Sequence, residues 1–308
     1  MINRNLIRIR IVQIVYSWYQ NKNKDLRSLE KELLFGLQKS YDLYYYLLLL
    51  MVEITKEYEA RVETRRNKLL PTKEDLNPNM KLIENMFIKQ LNSNRQFEKY
   101  LNDYPMSWSE HELFIKKLLE DILESEVYAE YASNTGSGYD IDKEFWRKIF
   151  RQYIYNNEAL DQLLEDESIY WNDDIEIVQS FVLKTIRQFS EANGEDQQLL
   201  PMFRDQEDKH YALKLLHNTI LKQEEYRELI KSHTDKWDFD RIAFMDMIIM
   251  QVALAEIHTF DDIPTSVSMN EYIELSKSYS TPKSGLFING VLDGIVKKLR
   301  NEGTIFKN

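Results

Sequence analysis

Three arginines near the start, Arg4, Arg8 and Arg10, are the first side chains able to bind a charged ligand. A guanidinium pairs well with phosphate oxygens. Arg4 and Arg8 are four apart, so a helix carries them on one flank, and Arg10 falls on another. A solvated helix start accounts for the same residues. Tyr16 and Phe287 have the shape to stack on bases or on a partner's side chain, or to fill a core, as we read Trp18. Lys283 and Ser284 stand where a late helix begins, and outward N–H groups there suit a phosphate. The alternative is that Thr281 is a structural cap. Asp240 and Asp246 could receive a basic protein. Asp246 stands out as a carboxylate in a very apolar helix, which an internal ion pair, with Arg241 or with another helix, would equally explain.

Catalytic chemistry finds little support. The five histidines, His111, His210, His217, His233 and His258, have no accompanying H-E-x-x-H, so no metal site is expected. Cysteine is absent, which excludes disulfides, thiolate nucleophiles and cysteine-built zinc sites. There is no glycine-rich phosphate loop and no Ser/His/Asp arrangement. The expectation is a non-enzyme without cofactor.

The elements that must position these residues are helices. The chain has 308 residues but only 8 Gly and 6 Pro, so tight turns are few. The most apolar run, Leu43 to Val52, is too short to span a membrane, which takes about 20 residues. No signal peptide is seen, and a cytoplasmic protein is expected. The net charge of −11 argues against general nucleic-acid binding. Its distribution is uneven: residues 1–24 carry +5, residues 155–210 carry −10 and residues 263–308 carry +2. A nucleic-acid surface would therefore be local and would form where the chain ends meet.

The spacing predicts a first helix over Asn5 to Gln20, with Ile7, Ile11, Ile14 and Trp18 on one face and Ile9, Val12 and Tyr16 on another. Apolar stripes on two sides mean packing on two sides, so this helix should dock on the C-terminal bundle. Leu26 to Lys68 reads as one long helix or a hairpin, with breaks expected at 71–79, 103–107, 133–138 and 192–196. S-N-T-G-S-G, at 133–138, is the best linker candidate. Capping boxes are expected at Ser107/Glu110 and Ser268/Glu271, and an N-cap at Thr281 with Pro282 at the first helical position. Gly285, Gly290 and Gly294 suggest close backbone packing or turn geometry.

Two separated blocks carry a family resemblance. The C-terminal block, about Asp205 to Leu299, contains Y-A-L-K-L-L-H-N-T-I, D-R-I-A-F-M-D, A-L-A-E-I, I-P-T-S-V-S-M-N-E-Y-I-E-L-S-K and F-I-N-G-V-L-D. The N-terminal block is R-N-L-I-R-I-R-I-V-Q-I-V-Y-S-W. In this order they resemble the NusB family of transcription antitermination factors. Asn218 stands where the family usually has Gly, and Met247 where it usually has Arg.

The resemblance implies an all-α, NusB-like helical bundle with an additional helical insertion. Residues 1–24 would supply its first helix, 25–200 the insertion and 201–308 the C-terminal core. It further implies binding of boxA-type single-stranded RNA in ribosomal RNA transcripts, with the small ribosomal protein NusE, in a transcription elongation complex. Arg4, Arg8, Arg10, Tyr16, Lys283, Ser284 and Phe287 would then face RNA, and Tyr16, Asp240 and Asp246 the protein partner. Two alternatives stay open: a helical scaffold that holds a basic protein and has lost RNA binding, and an RNA-recognition module serving ribosomal RNA modification, for which no methyltransferase motif is visible.

Overall fold

The computed structural model describes residues 1–21, 25–234, 242–305 and 307. Among these the chain forms α1 (Arg4–Asn21), α2 (Leu26–Arg66), α3 (Lys73–Leu76), α4 (Met86–Asn92), α5 (Arg95–Asp103), α6 (Glu112–Leu123), α7 (Glu126–Ser133) and α8 (Tyr139–Ile149). Then follow α9 (Glu158–Glu167), α10 (Ile175–Gln188), α11 (Gln206–Leu221), α12 (Gln223–Ser232), α13 (Phe244–Thr259), α14 (Thr265–Tyr279) and α15 (Ser284–Asn301). The fold is all-α, as the scarcity of Gly and Pro implied. The β-type pairing described is one isolated parallel bridge, Ile2 with Phe203. No helix among the described residues is long and apolar enough to cross a membrane.

The chain divides into two compact units. One is Gln38–Met202 together with Met1, and the other is Ile2–Leu37 together with Phe203–Asn308. Helix α2 therefore gives its first turns to one unit and the rest to the other.

The second unit is built around α13. Its run from Met247 to Ile257 is buried throughout, because apolar residues cover every side of the helix. Helices α1, α11, α12, α14 and α15 pack on it. Helix α1 docks through Leu6, Ile7, Ile11, Val12, Ile14 and Val15, all buried, and meets α11 and α13. Of its second stripe, Val12 is buried, Ile9 is half-buried, and Tyr16 is exposed with its ring 5.7 Å from that of Phe244. Gly36 in α2 is a glycine for a visible reason: a Cβ there would stand 2.8 Å from Arg10 Cδ.

Three local expectations fail in this unit. Ser268 and Glu271 form no capping box, because α14 begins at Thr265 and both lie inside it. Helix α15 begins at Ser284, and Thr281 and Pro282 sit in the preceding turn. The last helix's glycines make no unusually close approach: nothing lies within 4 Å of a Cβ on Gly290, and those on Gly285 and Gly294 would meet ordinary contacts of 3.6 and 3.4 Å.

The unit of Gln38–Met202 is organised by aromatic side chains of α2. Tyr45 stacks on Tyr100 at 3.7 Å between ring centres, and Tyr46 stacks on Trp108 at 4.1 Å. Side-chain caps start its short helices: Asn85, Asn94, Ser125 and Asn157 each accept the N–H three residues on. Thr72 and Asp75 make a full capping box. Ser107 does not, because its hydroxyl accepts from Ser109 N at 3.1 Å ahead of a short 3-10 turn. Residues 133–138 are no interdomain linker. They lie inside this unit, where Lys81 Nζ donates to the carbonyls of Tyr131, Asn134 and Gly136 at 2.9, 2.7 and 3.1 Å.

Candidate nucleic-acid interface

The strongest polar constellation in the second unit surrounds a buried carboxylate. Glu256 lies near the C-terminal end of the apolar helix α13 and is fully buried. Arg8 of α1 reaches it with two parallel bonds, Nε to Oε2 at 2.8 Å and Nη2 to Oε1 at 2.9 Å. Ser268 Oγ donates to the same carboxylate at 2.7 Å and Tyr272 OH at 3.0 Å, and Tyr211 OH donates as well. Arg8 Nη1 also meets Glu271 at 3.0 Å. Helices α1, α11, α13 and α14 are thus tied at one point.

The charges follow from this geometry. Burial alone would raise the Glu256 carboxyl, but the bonds from Arg8, Tyr211 and Ser268 outweigh it and hold it below the usual carboxylate range. Burial opposes the Arg8 charge, yet the Glu256 carboxylate more than compensates and holds Arg8 protonated. Burial, then the negative charge of Glu256, raises both Tyr211 and Tyr272, so each phenol remains a donor.

Arg8 is therefore not a phosphate ligand in this structure: it is 4 % exposed and its guanidinium is committed to carboxylates. Arg10 is 5 % exposed, lies over Gly36 and donates to Gln13 Oε1 at 2.9 Å. Both corrections share a cause. The aliphatic stem of arginine packs well on apolar helix faces, and α1 is apolar on two of them. Arg4 remains accessible. It lies 5.0 Å over the ring of the buried Tyr211 and 3.5 Å from Asp262, which is exposed.

The other candidate residues gather around the end of α14. Gln13 Nε2 donates to Tyr279 OH at 3.3 Å. Next to it, Ser280 Oγ and Ser284 Oγ both donate to Asp246, the latter at 2.9 Å. Asp246 is 4 % exposed and Ser284 is 2 % exposed, so these two residues serve each other rather than an outside ligand. Lys283 is exposed beside them, and Phe287 is half-buried. Tyr16 is 39 % exposed. Asp240 and Arg241 lie outside the described residues.

Phe244 was missed in the sequence. It is 38 % exposed, and its ring lies 5.7 Å from Tyr16 and 5.6 Å from Tyr19. Arg227 stands 6.0 Å over the Tyr19 ring. The accessible features thus form an aromatic group of Tyr16, Tyr19 and Phe244, with Lys283 at one end of α14 and Arg4 near Asp262 before its other end. Helix α14 itself, fifteen residues, is about 22 Å long. Aromatic faces near accessible cations can hold an extended, flexible polyanion through stacking and phosphate contacts.

The model of the NusB family matches residues 173–297, which span α10 to α15. The match begins earlier than the block read from about Asp205. Over 132 residues the chain is 36% identical to the transcription antitermination protein NusB of Salinibacter ruber, covering 41% of this chain and 82% of that relative. It is 36% identical over 100 residues to the NusB protein of Chloroherpeton thalassium, covering 32% of this chain and 47% of the relative. For the NusB protein of Natranaerobius thermophilus the identity is 44% over 72 residues, covering 23% of this chain and 52% of the relative. The chain thus spans about half the length of the latter two. No solved structure matches the chain. An all-α bundle closed by an N-terminal helix on a NusB-type C-terminal core defines the class, and the chain belongs to the NusB family.

Proposed function

We infer that the chain acts in transcription antitermination, by binding boxA-type single-stranded RNA together with the small ribosomal protein NusE. The observation that carries this reading is the docking of α1 on α11, α13 and α14 through Arg8 and Glu256, which completes a bundle of the family's type in spite of the residues between the two blocks. The RNA would stack on Tyr16 and Phe244 and make phosphate contacts with Lys283 and Arg4. NusE would approach the bundle near Tyr16, with Asp240, which lies outside the described residues, as a further acidic contact.

A second reading has its own support. With Arg8 and Arg10 buried, only Arg4 and Lys283 of the candidate cations stay accessible to phosphates, and the Ser284 hydroxyl is committed to Asp246, which favours a scaffold that binds a basic protein and has lost RNA. Titrating labelled boxA-type RNA, with and without NusE, separates the two. Weak binding alone and tighter binding with NusE is expected. With the two cations of this path each meeting one phosphate, log affinity should fall against log salt with a slope near −1.4, at about −0.7 per contact. Arg4→Ala and Lys283→Ala should each flatten the slope by about 0.7. An unchanged slope in the double variant would remove the proposed RNA path, and no binding even with NusE would leave the scaffold.

A further inference from the structure

A cavity of about 510 Å3 opens in the unit of Gln38–Met202, lined by residues outside the family match of 173–297. Its wall is aromatic and fixed. Trp171 Nε1 donates to the Lys39 carbonyl at 2.8 Å. Tyr46 lies 5.5 Å from the Trp171 ring and is backed by Trp108, so neither ring is free to turn away. The rim is acidic, with Asp103, Glu110 and Glu167 all exposed there. Deeper in, Asp42 is already bound by Tyr100 at 2.7 Å, Gln38 at 3.1 Å and Lys39 at 3.0 Å. No arginine lines the cavity, the Lys39 ammonium is paired with Asp42, and the one histidine of the lining, His111, has Nε2 3.3 Å from Glu167 Oε2, which leaves Asp103 and Glu110 facing the rim beside it.

The chemistry of the occupant follows by elimination. An anion would meet carboxylates on several sides. A purely apolar ligand would bury them at a cost. A metal ion needs converging ligands, and among the described residues no three acidic or histidine side chains are close enough to hold one. What remains is an organic cation, whose charge can face the rim while its carbon stem lies on the aromatic wall. The volume fits, since small-molecule sites span roughly 300–1,000 Å3. The field at the wall agrees: burial first, then Glu167 and Glu110, push the Tyr46 hydroxyl up, so both carboxylates act on the cavity's interior.

We propose that this cavity binds an alkylguanidinium or alkylammonium group, presented by an arginine or lysine side chain or by a free polyamine. The site is independent of the antitermination reading, because all its residues lie in the other unit. Calorimetric titration of the full chain tests it, with N-acetyl-argininamide, spermidine and the uncharged N-acetyl-citrullinamide as probes. Saturable one-to-one binding of at least one cation is expected, with none for the citrulline compound. Preference for the argininamide would point to a protein side chain, and preference for spermidine to a polyamine. Glu110→Gln/Glu167→Gln should weaken binding about tenfold, which is about 1.4 kcal/mol for the two rim charges together. Both positions are exposed, so thermal unfolding of this variant should match the parent. No saturable binding of either cation below about 10 mM, equal binding of the uncharged probe, or undiminished affinity in the folded variant would each overturn the proposal.

Discussion

Arg8→Ala should cost the unit of Ile2–Leu37 and Phe203–Asn308 about 3–5 kcal/mol of stability, because it leaves a buried carboxylate without its counter-charge. Glu256 is fully buried and Arg8 nearly so, so solvent screens the pair little. Denaturant unfolding measures the loss. The Arg8→Met/Glu256→Met double variant should lose much less than the two single variants together, since apolar pairs of similar volume replace buried ion pairs at little cost. The pH dependence has a definite sign. Glu256 is held below the usual carboxylate range in the fold, so the folded state binds its proton less readily than the unfolded chain. The pair's contribution is therefore full above that range and is lost as pH falls through the depressed folded value. Near neutrality the contribution should be flat. Strict additivity of the single variants would contradict this account.

The consequence for function separates two roles for the same arginine. If Arg8 touched phosphate, Arg8→Ala would flatten the salt dependence of RNA binding. With Arg8 in its buried pair, the substitution instead loosens α1, which carries Arg4 and Tyr16. Affinity should fall while the slope stays the same.

Trp108→Ala should have an effect of the same size on the other unit, about 3–5 kcal/mol. The indole is 1 % exposed, stacks on Tyr46 and donates Nε1–H to the Tyr46 carbonyl at 3.1 Å. Truncation would open a large void and free the Tyr46 ring, so cation binding in the adjoining cavity should weaken too. RNA affinity, at a temperature where the variant is still folded, should not change, because Arg4, Tyr16, Phe244 and Lys283 all belong to the other unit. Trp108→Phe should be milder. Loss of RNA affinity in the folded Trp108→Ala variant would place part of the RNA surface in Gln38–Met202.

The helices were legible in the sequence because helix breakers are rare and the apolar periods are long. Helices α1 and α2 fall within a few residues of their expected spans, and the expected breaks after α2, α5, α7 and α10 are present. The pair at the centre of the bundle was not legible, since Arg8 and Glu256 are 248 positions apart and a single sequence carries no sign of that contact. A weaker clue existed. Glu256, like Asp246, is a carboxylate in a helix that is otherwise apolar, and each finds its partners inside the fold. Ser268 and Glu271 show why a local motif misleads. Spacing of three is the spacing of a capping box, but it is also one helix face, and here that face is turned to Glu256 and Arg8. Phe244 escaped notice because an aromatic at the start of an apolar helix looks like any core residue until its exposure is known.

The proposed role of this bundle is antitermination through boxA-type RNA and NusE. The most direct measurement is transcription, with purified polymerase, of a template carrying a boxA-type element upstream of a terminator. The chain and NusE are added singly and together. Read-through should rise only when both are present, and should fall back when the boxA sequence is scrambled. Equal read-through on the scrambled template, or no rise with both proteins at saturation, would contradict it.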